Sequence, residues 1–154
     1  MNHRKRGPAA LQLDRFLPYR LSVLANTVSA AIANVYAERY DLSIPEWRVI
    51  AVLAQQPGLS AAEVAARTAM DKVAVSRAVA RLLKSRRLRR GATADDRRRL
   101  SLELTTAGRD VYNRIVPWAR DYEQRLLEAL DAEAARALDD ALRKLTDRAH
   151  ELAL

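Results

Sequence analysis

Apolar residues recur at helical spacing over most of this chain and at strand spacing over one short stretch. Leu21, Leu24, Ala25, Val28, Ala31, Ile32, Val35 and Tyr36 form a stripe at helical period. Pro18 suits the first turn of such a helix, because its missing amide proton would be unpaired there anyway. The stripe predicts a long first helix ending near Tyr40. Ser43-Ile44-Pro45-Glu46 has the form of a capping box with Pro in the first turn, so a second helix starts near Ile44. Trp47, Ile50, Val52 and Leu53 fill it, and Pro57-Gly58 stops it. A second box, Ser60 to Glu63, opens a short helix through about Thr68. Asp71 can cap a fourth, running to about Ser85 with Val75, Val79, Leu82 and Leu83 toward a core.

Alternation replaces helical spacing at Leu100-Ser101-Leu102-Glu103-Leu104, which with Leu88-Arg89-Arg90 predicts a two-stranded hairpin joined through Gly91 to Arg99. From Thr105 or Thr106 the helical pattern returns. Val111, Ile115, Trp118, Tyr122, Leu126 and Leu130 recur in one helix, and Leu138, Leu142, Leu145 and Leu152 in a last one that Asp131 can cap. Two short helices joined by Ala69-Met70-Asp71 and followed by a hairpin have the layout of a helix-turn-helix with a wing. The fold class is therefore mainly α: a winged helix-turn-helix with a two-stranded β wing, flanked by long helices at both ends of the chain. Those flanking stripes are too extensive to be covered by so small a unit, and a homodimer interface is the economical way to bury them.

Charge sharpens this picture. The chain carries 27 Lys and Arg against 19 Asp and Glu, a net +8. The whole surplus lies in residues 71–99, and the remainder balances. A solvated charged face would mix signs at i,i+4 spacing, as the residues after 105 do. A basic segment confined to the second short helix and the wing is the footprint of contact with nucleic acid. On the fourth helix, positions 73, 77, 81 and 84 share a face away from the apolar one. Lys72, Val73, Ser76 and Arg77 sit on its first turns, where base edges and flanking phosphates come within reach. Arg77 is the better base reader, since its planar fork can bond two acceptors of a guanine. Lys72, Arg81 and Lys84 suit phosphates, and Arg86, Arg87, Arg89 and Arg90 suit general attraction.

These stretches resemble the multiple-antibiotic-resistance regulator (MarR) family. The resemblance is carried by Leu59 to Arg67, by Asp71 to Leu83, and by Asp96-Arg97-Arg98 leading to Leu104-Thr105-Thr106-Ala107-Gly108. It implies a single domain over 1–154, with residues 17–40 and 106–154 as dimerisation helices and 43–104 as the winged DNA-binding unit. By the same resemblance Asp96 would pair with a nearby arginine to hold the wing, while Arg98 or Arg97 enters a minor groove narrowed by A·T-rich sequence. An effector pocket is implied near the joint of the first two helices, where Tyr19, Tyr36, Tyr40 and Trp47 cluster and Arg20 or Arg48 could hold a carboxylate, for instance that of a small aromatic acid. Two departures stand out. Val73 or Ala74 stands where the family often has a small polar residue, and Lys84-Ser85-Arg86-Arg87-Leu88 lacks the family's common glycine.

Other chemistries lack their parts. Without Cys, and with His3 and His150 at the two ends, there is no thiolate or metal set and no metal or cofactor is expected. Gly7, Gly58, Gly91 and Gly108 form no phosphate loop, so an enzyme is not expected. No run approaches the roughly 18 apolar residues of a membrane span, and the basic first residues lack the long apolar region of a secretory leader. The chain is expected in the cytoplasm, bound to double-stranded DNA as a ligand-responsive repressor of a pseudo-palindromic operator. The alternative is a sequence-neutral, nucleoid-type binder that uses the same basic segment for charge alone.

Overall fold

The computed structural model describes residues 11–91 and 100–153. Six α-helices and one two-stranded antiparallel sheet occur among them. The chain divides into two compact units, Met1–Tyr112 and Asn113–Leu154, with the boundary inside the fifth helix.

In the first unit a 3₁₀ turn, Leu13–Arg15, leads into α1, Leu17–Tyr40, with Pro18 in its first turn. Helices α2 (Ile44–Gln55) and α3 (Ala61–Thr68) open on complete capping boxes. The Ser43 and Ser60 hydroxyls accept from the amides of Glu46 and Glu63, and the two carboxylates reach back to the serine amides at 2.8 and 2.7 Å. The bonds from the Ser60 amide and hydroxyl hold the Glu63 carboxyl below its ordinary range. Helix α4, Lys72–Lys84, follows the Ala69-Met70-Asp71 turn. Strands β1 (Leu88–Arg90) and β2 (Leu102–Leu104) pair Leu88 with Leu104, Arg89 with Glu103 and Arg90 with Leu102. The far side of β2 bonds to the α2–α3 connection, with Gly58 N–H donating to Leu102 O and Leu102 N–H to Leu59 O, each at 2.9 Å. The wing is thereby tied to the helix-turn-helix by backbone as well as by packing.

The core of this unit is made by α2, α3, α4 and the wing, with Val49, Ile50, Leu53, Val64, Val75, Leu82 and Leu102 at 0–1% exposure. Burial of side chains this size contributes about 1.5–3 kcal/mol each. The inner line of α2 is Glu46, Val49, Ile50 and Leu53. Glu46 and Val49 thus replace the expected Trp47 and Val52, which are half-buried, because the helix turns on the phase of i, i+3, i+4, i+7. Leu100 belongs to the turn before β2 and is 61% exposed, so the alternating stretch is a strand only where β1 lies opposite it. On α1, Tyr36 is buried and Ile32 and Val35 are half-buried, whereas Leu21 and Leu24 of the same stripe are exposed.

Helix α5, Thr106–Leu127, crosses the unit boundary and carries Pro117 in its interior. In the second unit α6, Ala132–Leu152, is capped by Asp131, whose Oδ1 accepts from Ala134 N–H at 2.8 Å. The Lys144 and Arg143 side chains beside Asp140 lower its pKa. The apolar stripe of α6 is in place but uncovered, Leu138, Leu142 and Leu145 being 40–44% exposed. Among the described residues no helix is long and apolar enough to cross a membrane, and no cluster of His, Asp and Glu could hold a metal ion.

Candidate nucleic-acid interface

Asp71 starts α4 by accepting the amides of Val73 and Ala74 at 2.9 and 3.1 Å, a carboxylate where the helix dipole favours one. Val75, Ala78, Val79 and Leu82 then bury the inner face. That packing leaves Lys72, Val73, Ser76, Arg77, Arg81 and Lys84 exposed. Val73 is 55% exposed, an apolar side chain of a kind that can meet a thymine methyl group. Arg77 lines a shallow groove of about 290 Å³ with Ser43, Pro45, Ala74, Ala78 and Arg81.

The six α4 candidates do not share one environment. Arg81 turns back toward α2, its Nε lying 3.3 Å from Glu46 Oε1 and its Nη2 3.9 Å from Asp41 Oδ2. Glu46 is 2% exposed and its other oxygen belongs to the capping box, so one carboxylate serves two helices. Arg81, Lys84 and Arg87 line a cleft of about 610 Å³ with Asp41, Glu46 and Ser85. Sequence reading found Glu46 as a cap but missed the ion pair, since Arg81 lies on another helix.

The end of α4 explains the missing glycine. Arg86 N–H bonds Leu83 O and Arg87 N–H bonds Leu82 O, the two bonds of a Schellman motif, and Arg86 takes the left-handed conformation with φ 56°. That conformation costs a side-chain-bearing residue about 1–2 kcal/mol. Arg86→Gly is therefore expected to raise the unfolding free energy by about 1 kcal/mol, measured by urea denaturation, while removing one exposed positive charge. A loss of stability would show that the Arg86 side chain makes a contact worth more than the strain.

Among the described residues, two of the four arginines expected to act by general attraction have defined partners. Arg87 is half-buried and its Nη2 donates to Tyr40 O, closing the last turn of α1. Arg89 pairs with Glu103 across the strands at 2.6 Å. The junction is completed by Thr105, whose Oγ1 donates to Arg86 O at 2.7 Å and accepts from Gly108 N–H at 3.1 Å. A Cβ on Gly108 would stand 2.1 Å from Arg87 O, so the first turn of α5 lies directly on the end of α4. Asp96, Arg97 and Arg98 lie outside the described residues.

Of the expected effector residues, some converge and some do not. The Tyr36 and Trp47 rings lie 5.7 Å apart, and Trp47 stacks on Tyr112 at 5.9 Å. Arg48 donates to Ser29 Oγ at 3.0 Å, bridging α1 and α2. Burial pushes the Tyr36 hydroxyl up to about 12, partly offset by the Arg48 charge. Tyr112 and Arg109, whose guanidinium lies 5.8 Å from the Tyr112 ring centre, were not found from the sequence, because their helix joins the cluster only in the fold. Tyr19 and Arg20 are exposed near the start of α1, about 25 Å of helix from Tyr36. Tyr40 is half-buried at the end of the same helix.

Comparison with known proteins agrees with this geometry. A MarR family model matches residues 40–99, which span the helix-turn-helix and the hairpin connection. The HTH-type transcriptional repressor Rv2887 of Mycobacterium tuberculosis is 31% identical over 131 residues, 84% of this chain and 91% of its own. A MarR/EmrR family transcriptional regulator from Acinetobacter sp. ADP1 superimposes with a TM-score of 0.83 at 26% identity, covering 92% of this chain and 99% of that one. The Rv2887 protein in complex with salicylic acid superimposes with a TM-score of 0.68 at 27% identity, covering 86% and 97%. This chain therefore belongs to the MarR family, whose members are DNA-binding transcription regulators and not enzymes.

Proposed function

We propose that the protein is a homodimeric, ligand-responsive repressor that binds a pseudo-palindromic operator. The observation that carries this reading is the division of α4 into a buried face and an exposed one bearing Lys72, Val73, Ser76, Arg77, Arg81 and Lys84. Two copies related by a twofold axis set two such helices into successive major grooves. Residues 17–40 and 106–154 form the dimer interface in this reading, supported by the exposed leucines of α1 and α6, and 43–104 form the DNA-binding unit. Arg97 or Arg98 of the wing enters the minor groove, with Asp96 holding the loop.

The effector is a small aromatic acid, as the salicylic acid complex of the Rv2887 protein suggests. Tyr36 and Trp47, joined by Tyr112, supply an aromatic surface, and Arg48 a cation that can exchange Ser29 for a carboxylate. A ligand that binds the operator-incompetent dimer more tightly shifts the population toward it and releases the DNA.

Selection from a random duplex library at about 150 mM salt tests the DNA reading, because charge-only binding is weak there. The expected result is an enriched twofold site with half-sites about 10 base pairs apart, centre to centre. Enrichment of no sequence, with binding that fades alike on every duplex as salt rises, would replace this reading by charge-only binding.

A further inference from the structure

We propose that Glu46 is a positioning residue for Arg81 and sets the balance between sequence-specific and charge-only binding of DNA; the proposal rests on the reading that the exposed face of α4 meets DNA. Glu46 comes from α2, and its side chain is 3% exposed. Its Oε2 accepts the Ser43 amide at 2.8 Å and the Ser43 hydroxyl at 2.6 Å, and its Oε1 forms an ion pair with Arg81 Nε 3.3 Å away. A buried carboxylate left without a cation is costly, so Arg81 is held by the need of Glu46 for a counter-charge. Asp41, from the end of α1, adds little: it is 3.9 Å from Nη2 and 95% exposed. The other cations facing this cleft are Lys84 and Arg87, and Arg87 is already engaged by Tyr40 O.

Two consequences follow for Arg81. Guanidinium has five donors in a fixed plane, so holding its charge beside Glu46 restricts the region in which those donors can lie. The side chain is still 60% exposed and can give those donors to a phosphate oxygen at one defined place. At the same time its charge is cancelled at range by Glu46. A neutral pair releases almost no counterions when it meets a phosphate, whereas an unpaired arginine releases about one. Glu46 thereby removes Arg81 from the salt-dependent attraction that every duplex exerts, and keeps its geometry for the site where the phosphate falls in place.

The test is a fluorescence-anisotropy titration of the full-length protein with a mixed-sequence duplex of about 24 base pairs, repeated between about 50 and 250 mM KCl. Glu46→Gln keeps a side chain able to cap α2 but removes the charge. Its binding to this duplex is expected to tighten about 3–10-fold at the low end, with a salt slope steeper by about one per protomer. Glu46→Gln combined with Arg81→Ala should return the slope to that of the parent protein. Ser43→Ala weakens the cap and leaves the ion pair, so it should lower stability without steepening the slope. An unchanged slope in Glu46→Gln, a steep slope that survives loss of Arg81, or a steep slope in Ser43→Ala would each overturn the proposal. Lys84→Ala on the same duplex checks the reading beneath it. A slope shallower by about one keeps α4 on the DNA whatever Glu46 does, and an unchanged slope removes α4 from the interface and the proposal with it.

Discussion

Gly108→Ala is expected to cost the fold about 2–4 kcal/mol, at the severe end of overpacking, measured as a fall in the urea midpoint with the slope of the transition unchanged. The added methyl would lie 2.1 Å from Arg87 O and 3.1 Å from Arg87 C, and both are backbone atoms that cannot swing aside as a side-chain tip can. Arg87 is also poorly able to retreat. Its carbonyl accepts the Thr105 amide at 3.1 Å, its amide closes the Schellman motif on Leu82, and its guanidinium is tied to Tyr40. Relief therefore requires the first turn of α5 to lift away from the end of α4. A loss below about 0.5 kcal/mol would mean that this junction yields freely, and that the glycine of the Leu-Thr-x-x-Gly run is not there for close approach.

Arg77→Ala is expected to weaken operator binding by about 1–3 kcal/mol and to relax the preference at one base pair of each half-site, while leaving the unfolding transition in place. Among the described residues Arg77 has no acidic partner, in contrast to Arg81 on the next turn of the helix. Its donors stay available to a guanine edge, and substitution removes no hydrogen bond or ion pair among the described residues. Comparison of the selected site with single-base variants separates the two effects. Equal loss on all variants would make Arg77 a phosphate contact, and retained affinity would take it out of the interface.

The parts of this molecule that are legible in its sequence are those decided locally. Ser43 with Glu46 and Ser60 with Glu63 announce two helix starts within four residues each, and both boxes form with all their bonds. Val75, Val79 and Leu82 on the inner face of α4 and the hairpin itself follow from spacing, whereas Ala78 is buried where Leu83, half-buried, was expected. What was hidden depends on residues meeting from different elements. The pair of buried Glu46 with exposed Arg81, the hold of Arg87 on Tyr40, and the arrival of Tyr112 beside Trp47 have no signal in local spacing. Tyr19 and Arg20 show the converse: their residue types suit the pocket, but helical rise carries them away from Tyr36 within one chain. The absent glycine after α4 was visible as a departure, yet only the left-handed Arg86 shows what that departure means in physical terms.

The order of the wing has a bearing on how the protein behaves at high concentration. Strand β2 is held on both sides, with Ser101 O accepting Gly91 N–H on the hairpin side and Leu102 bonded to Gly58 and Leu59 behind it, so among the described residues β2 is an interior strand and the open edge belongs to β1. An open edge is a template on which another chain can add a strand, the first step toward aggregation. Here that edge is three residues long and two of them are arginines, Arg89 and Arg90, both exposed. Arg89 is paired with Glu103, so a second copy approaching edge to edge would bring the two Arg90 charges together before a backbone bond could form. An exposed arginine on this edge thus works against the joining of separate copies through their wings.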